Sequence, residues 1–126
     1  MQTLLIVGIG GGLGAVARYG AGLLVGRLWP MGFPLATLLI NIVGSVLMGL
    51  FMGAIARQTG PGAENLRLFA AVGILGGFTT FSAFSLDAIR LIERGELLQA
   101  GFYVLLSVVV CLIGLYLGLL VTRGVA

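Results

Sequence analysis

The sequence predicts an all-α membrane protein of four transmembrane helices, the third of them broken. Three observations carry this. Only 11 of the 126 residues are charged, seven Arg and four Asp or Glu, with no Lys and no His. A soluble domain carries roughly 25% charged residues. A chain with 9% charged and 60% hydrophobic residues has too little polar surface to face water. The few charges also divide the chain into four apolar stretches, each long enough to cross a ~30 Å hydrocarbon core, which takes about 20 residues. Finally, the third stretch contains Gly76-Gly77-Phe78-Thr79-Thr80, a composition that resists continuous helix.

The first span covers about 2–29 and holds Arg18 within it. No basic residue precedes Arg18, so the segment reads as a spanning helix and not as a signal peptide. Gly10, Gly12 and Ala15 fit a loose dinucleotide fingerprint, but the first acidic residue is Glu64. That fingerprint needs a βαβ context and an acidic residue about 20 positions on, so the glycines read as packing positions. A charge at the depth of Arg18 costs roughly 2.5–3.5 kcal/mol on insertion scales. Two readings stay open for it: a side chain that snorkels to an interface, or a fixed positive charge facing a water-filled vestibule that draws in anions. The first two spans contain no carboxylate to neutralise it.

The second span, about 34–57, is uncharged, and Asn41 is its strongly polar residue. Its amide serves either an interhelical hydrogen bond or a passing anion. The third span covers about 66–92. Its interruption is either a packing kink or irregular backbone of the kind tolerated at membrane depth where protein buries it or water reaches it. Beyond it, Phe81 and Phe84 share a helix face. Thr79, Thr80, Ser82 and Ser85 surround them with hydroxyl donors. Such rings pack, and they can also turn their positive edges towards an anion. The fourth span, about 96–122, places Tyr103 and Ser107 on one stripe. Short Gly- and Pro-containing connectors join the spans, including 30–33. Small residues at four-residue spacing (Gly8/Gly12, Gly10/Gly14, Gly22/Gly26, Gly49/Gly53, Gly73/Gly77, Gly114/Gly118) allow close helix approach.

These residues exclude several functions. A lone cysteine, Cys111, permits no disulfide within the chain. With no histidine there is no basis for a hydrolytic triad or a zinc site, and the chain is expected not to be an enzyme. The net charge of +3 lies on scattered Arg, not on a run, so no nucleic acid partner is expected. With four crossings, one side carries Arg57, Arg67 and Arg123 and the other Arg27, Arg90 and Arg94. This balance gives the positive-inside rule nothing to act on. Either one orientation wins narrowly, or the chain inserts both ways and pairs antiparallel. Many neutral donors, one intramembrane Arg and no acid in the first two spans favour a dehydrated anion.

Three segments carry a family resemblance: Gly11-Gly12-Leu13-Gly14-Ala15-Val16-Ala17-Arg18-Tyr19, Thr37-Leu38-Leu39-Ile40-Asn41-Ile42-Val43-Gly44-Ser45, and Gly76-Gly77-Phe78-Thr79-Thr80-Phe81-Ser82-Ala83-Phe84-Ser85. With these, the chain resembles the Fluc (CrcB) family of bacterial fluoride channels over essentially its full length. The resemblance implies an antiparallel dual-topology homodimer in the bacterial inner membrane, with two fluoride pores near the subunit interface and passive export that relieves fluoride toxicity. It implies that Phe81 and Phe84 are pore phenylalanines, that Asn41, Thr80 and Ser82 accompany them, and that Tyr103 and Ser107 form a polar track. It further implies that Arg18 lies at a vestibule and that the backbone carbonyls of Gly76 and Thr79 hold a structural sodium ion on the dimer axis. Cys111 falls where relatives often carry Ser or Thr. Asp87 has no place in that scheme and is left to pair with Arg90. The nearest alternative in architecture is a small dual-topology, proton-coupled multidrug exporter, disfavoured because the first span lacks a mid-membrane Glu.

Overall fold

The computed structural model describes residues 1–29 and 32–123. Pro30 and Met31 of the first connector, and residues 124–126, lie outside the described residues. Helix α1 is Gln2–Leu28, α2 is Leu35–Ile55, α3 covers 61–78, α4 is Phe81–Glu93 and α5 is Leu97–Arg123. Helices α3 and α4 together make the third span, Pro61–Glu93. All four spans are long and apolar enough to cross a membrane, and no strand occurs among the described residues. The protein is an all-helical, multi-pass membrane protein whose third span is bent.

Helix α3 starts after Gly60, whose φ of 97° turns the chain, with Pro61 in the first turn, where a missing amide hydrogen is harmless. From Leu68 to Leu75 the helix is π-wound, and the Gly76 amide reaches back to the Ala71 carbonyl. Within the predicted interruption, the glycines and the threonines behave differently. Gly76–Phe78 remains a helical turn. The backbone leaves the helix at Thr79 (φ −85°, ψ 156°) and Thr80 (φ −153°, ψ 122°). Packing explains the first half of this: a Cβ on Gly77 would lie 2.5 Å from the Gly11 carbonyl oxygen and 3.1 Å from its Cα, so α1 presses against the helical turn. Threonine, branched and able to bond its own backbone, supplies the residues at which the backbone leaves the helix.

Small residues set the two closest seams. Gly10 and Gly14 of α1 meet Gly73 and the backbone around Ile74 and Phe78 of α3, while Gly49 and Gly53 of α2 meet α5 near Leu115, Gly118 and Leu119. Gly8, Gly12, Gly22 and Gly26 have open space before them. A small apolar core of Leu38, Phe84, Ala88, Leu91, Ala100 and Tyr103 joins α2, α4 and α5. Helix α4 closes with Gly95 (φ 80°). The Glu96 amide donates to Leu91 and the Gly95 amide to Ile92, the paired bonds of a left-handed glycine cap. Arg94 adds a bond to the Gly32 carbonyl (3.0 Å) and an ion pair with Glu96 (2.9 Å), tying the first connector to the turn before α5.

Candidate functional site

A break in a helix leaves amides and carbonyls without their usual partners, and in a membrane these must be met from within the protein. The side chain of Asn41 meets one residue's worth. The Thr80 amide donates to Asn41 Oδ1 at 2.8 Å, and Asn41 Nδ2 donates to the Thr80 carbonyl at 3.0 Å. The side-chain amide thus pairs with the extended backbone as a neighbouring peptide would. An amide nitrogen carries two donors, so one N–H of Asn41 remains for another acceptor.

Each end of the break has its own cap. The Thr79 hydroxyl donates to the Leu75 carbonyl at 3.0 Å. Arg18 Nε donates to the Gly77 carbonyl at 3.2 Å, which puts a cation on the C-terminal end of α3, where the helix dipole favours it. The structure therefore gives Arg18 a backbone partner in α3. On the other side, the Thr80 hydroxyl accepts from the Ala83 amide at 3.2 Å and caps the start of α4. Thr80 Oγ1 and Ser82 Oγ lie 3.2 Å apart and share a hydrogen bond. Ser85 turns inward on its own helix and donates to the Phe81 carbonyl.

Two cavities flank this construction, and Thr80 borders both. The larger, about 430 Å³, is lined on one wall by Asn41, Ser45 and Met48 of α2, at the break by Thr79, Thr80, Phe81 and Phe84, and on α5 by Ser107 and Cys111. The second, about 330 Å³, is lined by Arg18 and Tyr19 of α1, Thr37 of α2, and Thr80 and Ala83. Arg18 forms no ion pair with a carboxylate among the described residues. The larger groove is mostly apolar, with a few convergent polar groups, the usual composition of a small-ligand site.

One polar atom in that groove is unaccounted for. Ser107 is 6% exposed, and its hydroxyl is buried without a hydrogen-bond partner. Buried hydroxyls are almost always satisfied, and this one has no protein partner among the described residues. The aromatic rings form a row beside it. Phe81 and Phe84 lie 5.3 Å apart between centroids, Phe84 and Tyr103 5.2 Å, and Tyr103 meets Phe33 edge-on at 5.7 Å. Phe84 is packed at 8% exposure, while Phe81 stands 77% exposed on the monomer.

The structure thus brings Asn41, Thr80, Phe81, Phe84 and Ser107 together around one groove, keeps Ser82 next to them through Thr80, and sets Arg18 beside the second cavity. Tyr103 lies apart from the groove lining. It is fully buried behind Phe84, and its hydroxyl donates to Asp87 Oδ2 at 3.2 Å. Asp87 therefore takes Tyr103, and not Arg90, as partner. The sequence reading passed over Thr37, Ser45 and Met48. Ser45 is one helical turn from Asn41, a spacing that places both on one face. Thr37 is equally one turn before it. The Tyr103–Asp87 pair bridges two helices and has no local signal.

The sequence profile of the family described as CrcB-like protein, Camphor Resistance (CrcB), matches residues 5–119. The chain is 49% identical over 127 residues to a protein of Roseobacter denitrificans named fluoride-specific ion channel FluC, covering 99% of this chain and 98% of that one. A Paracoccus denitrificans protein of the same name is 51% identical over 98% of this chain and 96% of its own length. One from Novosphingobium aromaticivorans is 49% identical over the full length of both.

Proposed function

The chain belongs to the CrcB family, and from that premise we propose that it is a fluoride-selective channel, not an enzyme, that lets fluoride leave the cell down its electrochemical gradient. The observation that carries the reading is the groove at the break: Ser107, whose buried hydroxyl has no partner, lines it together with Asn41, Ser45, Thr79 and Thr80, all of them neutral. Fluoride is small and strongly hydrated, so its dehydration must be offset by close, preorganised donors. Rigid donors favour it over a larger halide, which cannot approach all of them at once.

In this reading Arg18 holds the positive potential of the vestibule formed by the second cavity. Asn41 offers its spare N–H. Thr80 and Ser82 offer hydroxyls. Phe81 and Phe84 turn ring edges to the ion, and Ser107 continues the polar track along α5, with Tyr103 packed behind Phe84. The functional unit is an antiparallel, dual-topology homodimer in the bacterial inner membrane, with two pores near the subunit interface. The even Arg distribution supports this. So do the open glycine faces at Gly8, Gly12, Gly22 and Gly26, which leave room for the close approach of another helix.

A structural sodium ion at the dimer axis fits the break. In a continuous helix the Thr80 amide would serve the Gly76 carbonyl; here it serves Asn41. The carbonyls of Gly76 and Thr79 are then the ones to hold the ion, whose positive charge would fix the two breaks against each other.

The test is efflux from liposomes loaded with fluoride, followed with a fluoride electrode after valinomycin releases the potassium counter-charge, with chloride-loaded vesicles in parallel. Fast fluoride release with chloride retained is the expected result. Retention of both by folded protein overturns the reading.

A further inference from the structure

We propose that Cys111 is a thiol site inside the conduction groove, at which a small, neutral, thiol-directed electrophile closes the channel. The proposal rests on the reading of the groove as the fluoride path. Cys111 is a free, half-buried cysteine on α5 and lines the same groove as Asn41, Thr80 and Phe81. It stands one helical turn beyond Ser107, so the two side chains share a face. Ser107 is the second observation at that wall: the residue lines the groove, is 6% exposed, and its hydroxyl is buried without a partner. An ion resting at Ser107 therefore has Cys111 as its next neighbour along α5. Beyond it the wall is Leu112 and Leu115. The thiol is thus the last weak donor on that wall before an apolar stretch.

The chemistry balances without any group supplied by the protein. The Cys111 thiol loses its proton to water. The thiolate attacks the sulfenyl sulfur of methyl methanethiosulfonate, the new S–S bond forms as the S–SO₂ bond breaks, and methanesulfinate leaves. The product carries an apolar methylthio group where an S–H stood. That group fills part of the groove and removes the donor that follows Ser107, so a dehydrated anion has nothing to bind at that step.

The experiment treats reconstituted wild-type protein and Cys111→Ser protein with methyl methanethiosulfonate, then measures intact mass and fluoride efflux on the same samples. Wild-type protein is expected to gain one methylthio group and to lose efflux in proportion to the labelled fraction, with dithiothreitol restoring both mass and flux. Fluoride in the bath is expected to slow labelling. Cys111→Ser, whatever its own rate, is expected to be insensitive. Full labelling with undiminished flux overturns the proposal, and so does absence of labelling in the native protein. Absence of fluoride efflux before any reagent overturns the channel reading itself, and the proposal with it.

Discussion

Asn41→Asp separates the two tasks assigned to Asn41. The exchange is nearly isosteric and keeps an acceptor for the Thr80 amide, now at 2.8 Å from Oδ1. It replaces the Nδ2 donor with a second oxygen facing the Thr80 carbonyl, at a position now 3.0 Å from it. Losing one donor to a partly buried carbonyl costs about 1–3 kcal/mol. The larger effect is on the ion. A negative charge about 4 Å from a fluoride ion, at an effective dielectric of about 20, raises its energy by about 4 kcal/mol. That corresponds to roughly a thousandfold loss of flux at about 1.4 kcal/mol per decade. Asn41→Leu supplies the contrast. It leaves both Thr80 groups unmet, at about 1–3 kcal/mol each, but adds no charge to the path. Thermal melts in detergent and fluoride efflux from liposomes are therefore expected to rank the variants in opposite orders: Leu is the less stable, Asp the less conductive. Wild-type efflux from Asn41→Asp, in protein with unchanged helicity and elution volume, would refute the placement of Asn41 on the ion path.

Other perturbations probe separate parts of the argument. Phe81→Ile is expected to lower fluoride efflux while leaving the melting temperature of the monomer little changed, because Phe81 packs on little within one subunit; efflux equal to wild type would remove the ring-edge role. Gly77→Ala forces a methyl group onto the Gly11 backbone and is expected to destabilise by about 1–3 kcal/mol, read as a lowered melting temperature. Gly95→Ala places a Cβ on a residue at φ 80° and is expected to cost about 1 kcal/mol without changing fluoride selectivity. Tyr103→Phe withdraws the hydroxyl from Asp87 and is expected to cost about 1 kcal/mol of stability, in the same assay.

The spans were legible because charge is scarce and its positions mark the ends of the apolar stretches; Pro61 and Gly95 mark two of those ends in their own right. The interruption of the third span was legible as a region, since Gly and Thr both resist helix. Its position within that region was not. Intrinsic preference ranks glycine as the poorer helix former, yet Gly76 and Gly77 stay helical, with α1 lying against Gly77, a contact set by residues some sixty positions away. Asn41 was legible as an anomaly in an apolar span. That its two amide atoms would be committed to Thr80, thirty-nine residues on, could not be seen from spacing. Nor could the role of Arg18 as a cap on Gly77. Pairings between helices depend on how the spans pack, and the local pattern holds no record of that.

That packing also accounts for the preference for anions. Breaking a helix exposes a carbonyl end and an amide end of opposite sign, and by symmetry the gap would suit a cation as well as an anion. Here the two ends are treated differently. The carbonyl end of α3 receives Arg18 at Gly77 and the Thr79 hydroxyl at Leu75, so two of its carbonyls are met from within the subunit, one of them by a cation. At the amide end of α4 one amide, that of Ala83, is capped by the Thr80 hydroxyl. That cap is itself a neutral hydroxyl able to donate onward, with Ser82 beside it. Asn41 holds the extended residue between them and keeps a spare N–H. What remains facing the groove is mostly apolar with a few neutral polar groups, and it carries no carboxylate among its lining residues. The sign of the ion thus follows from which end of the break the protein caps with charge, and the nearby Phe81 and Phe84 rings add positive edges without adding a counter-charge that would hold the ion in place.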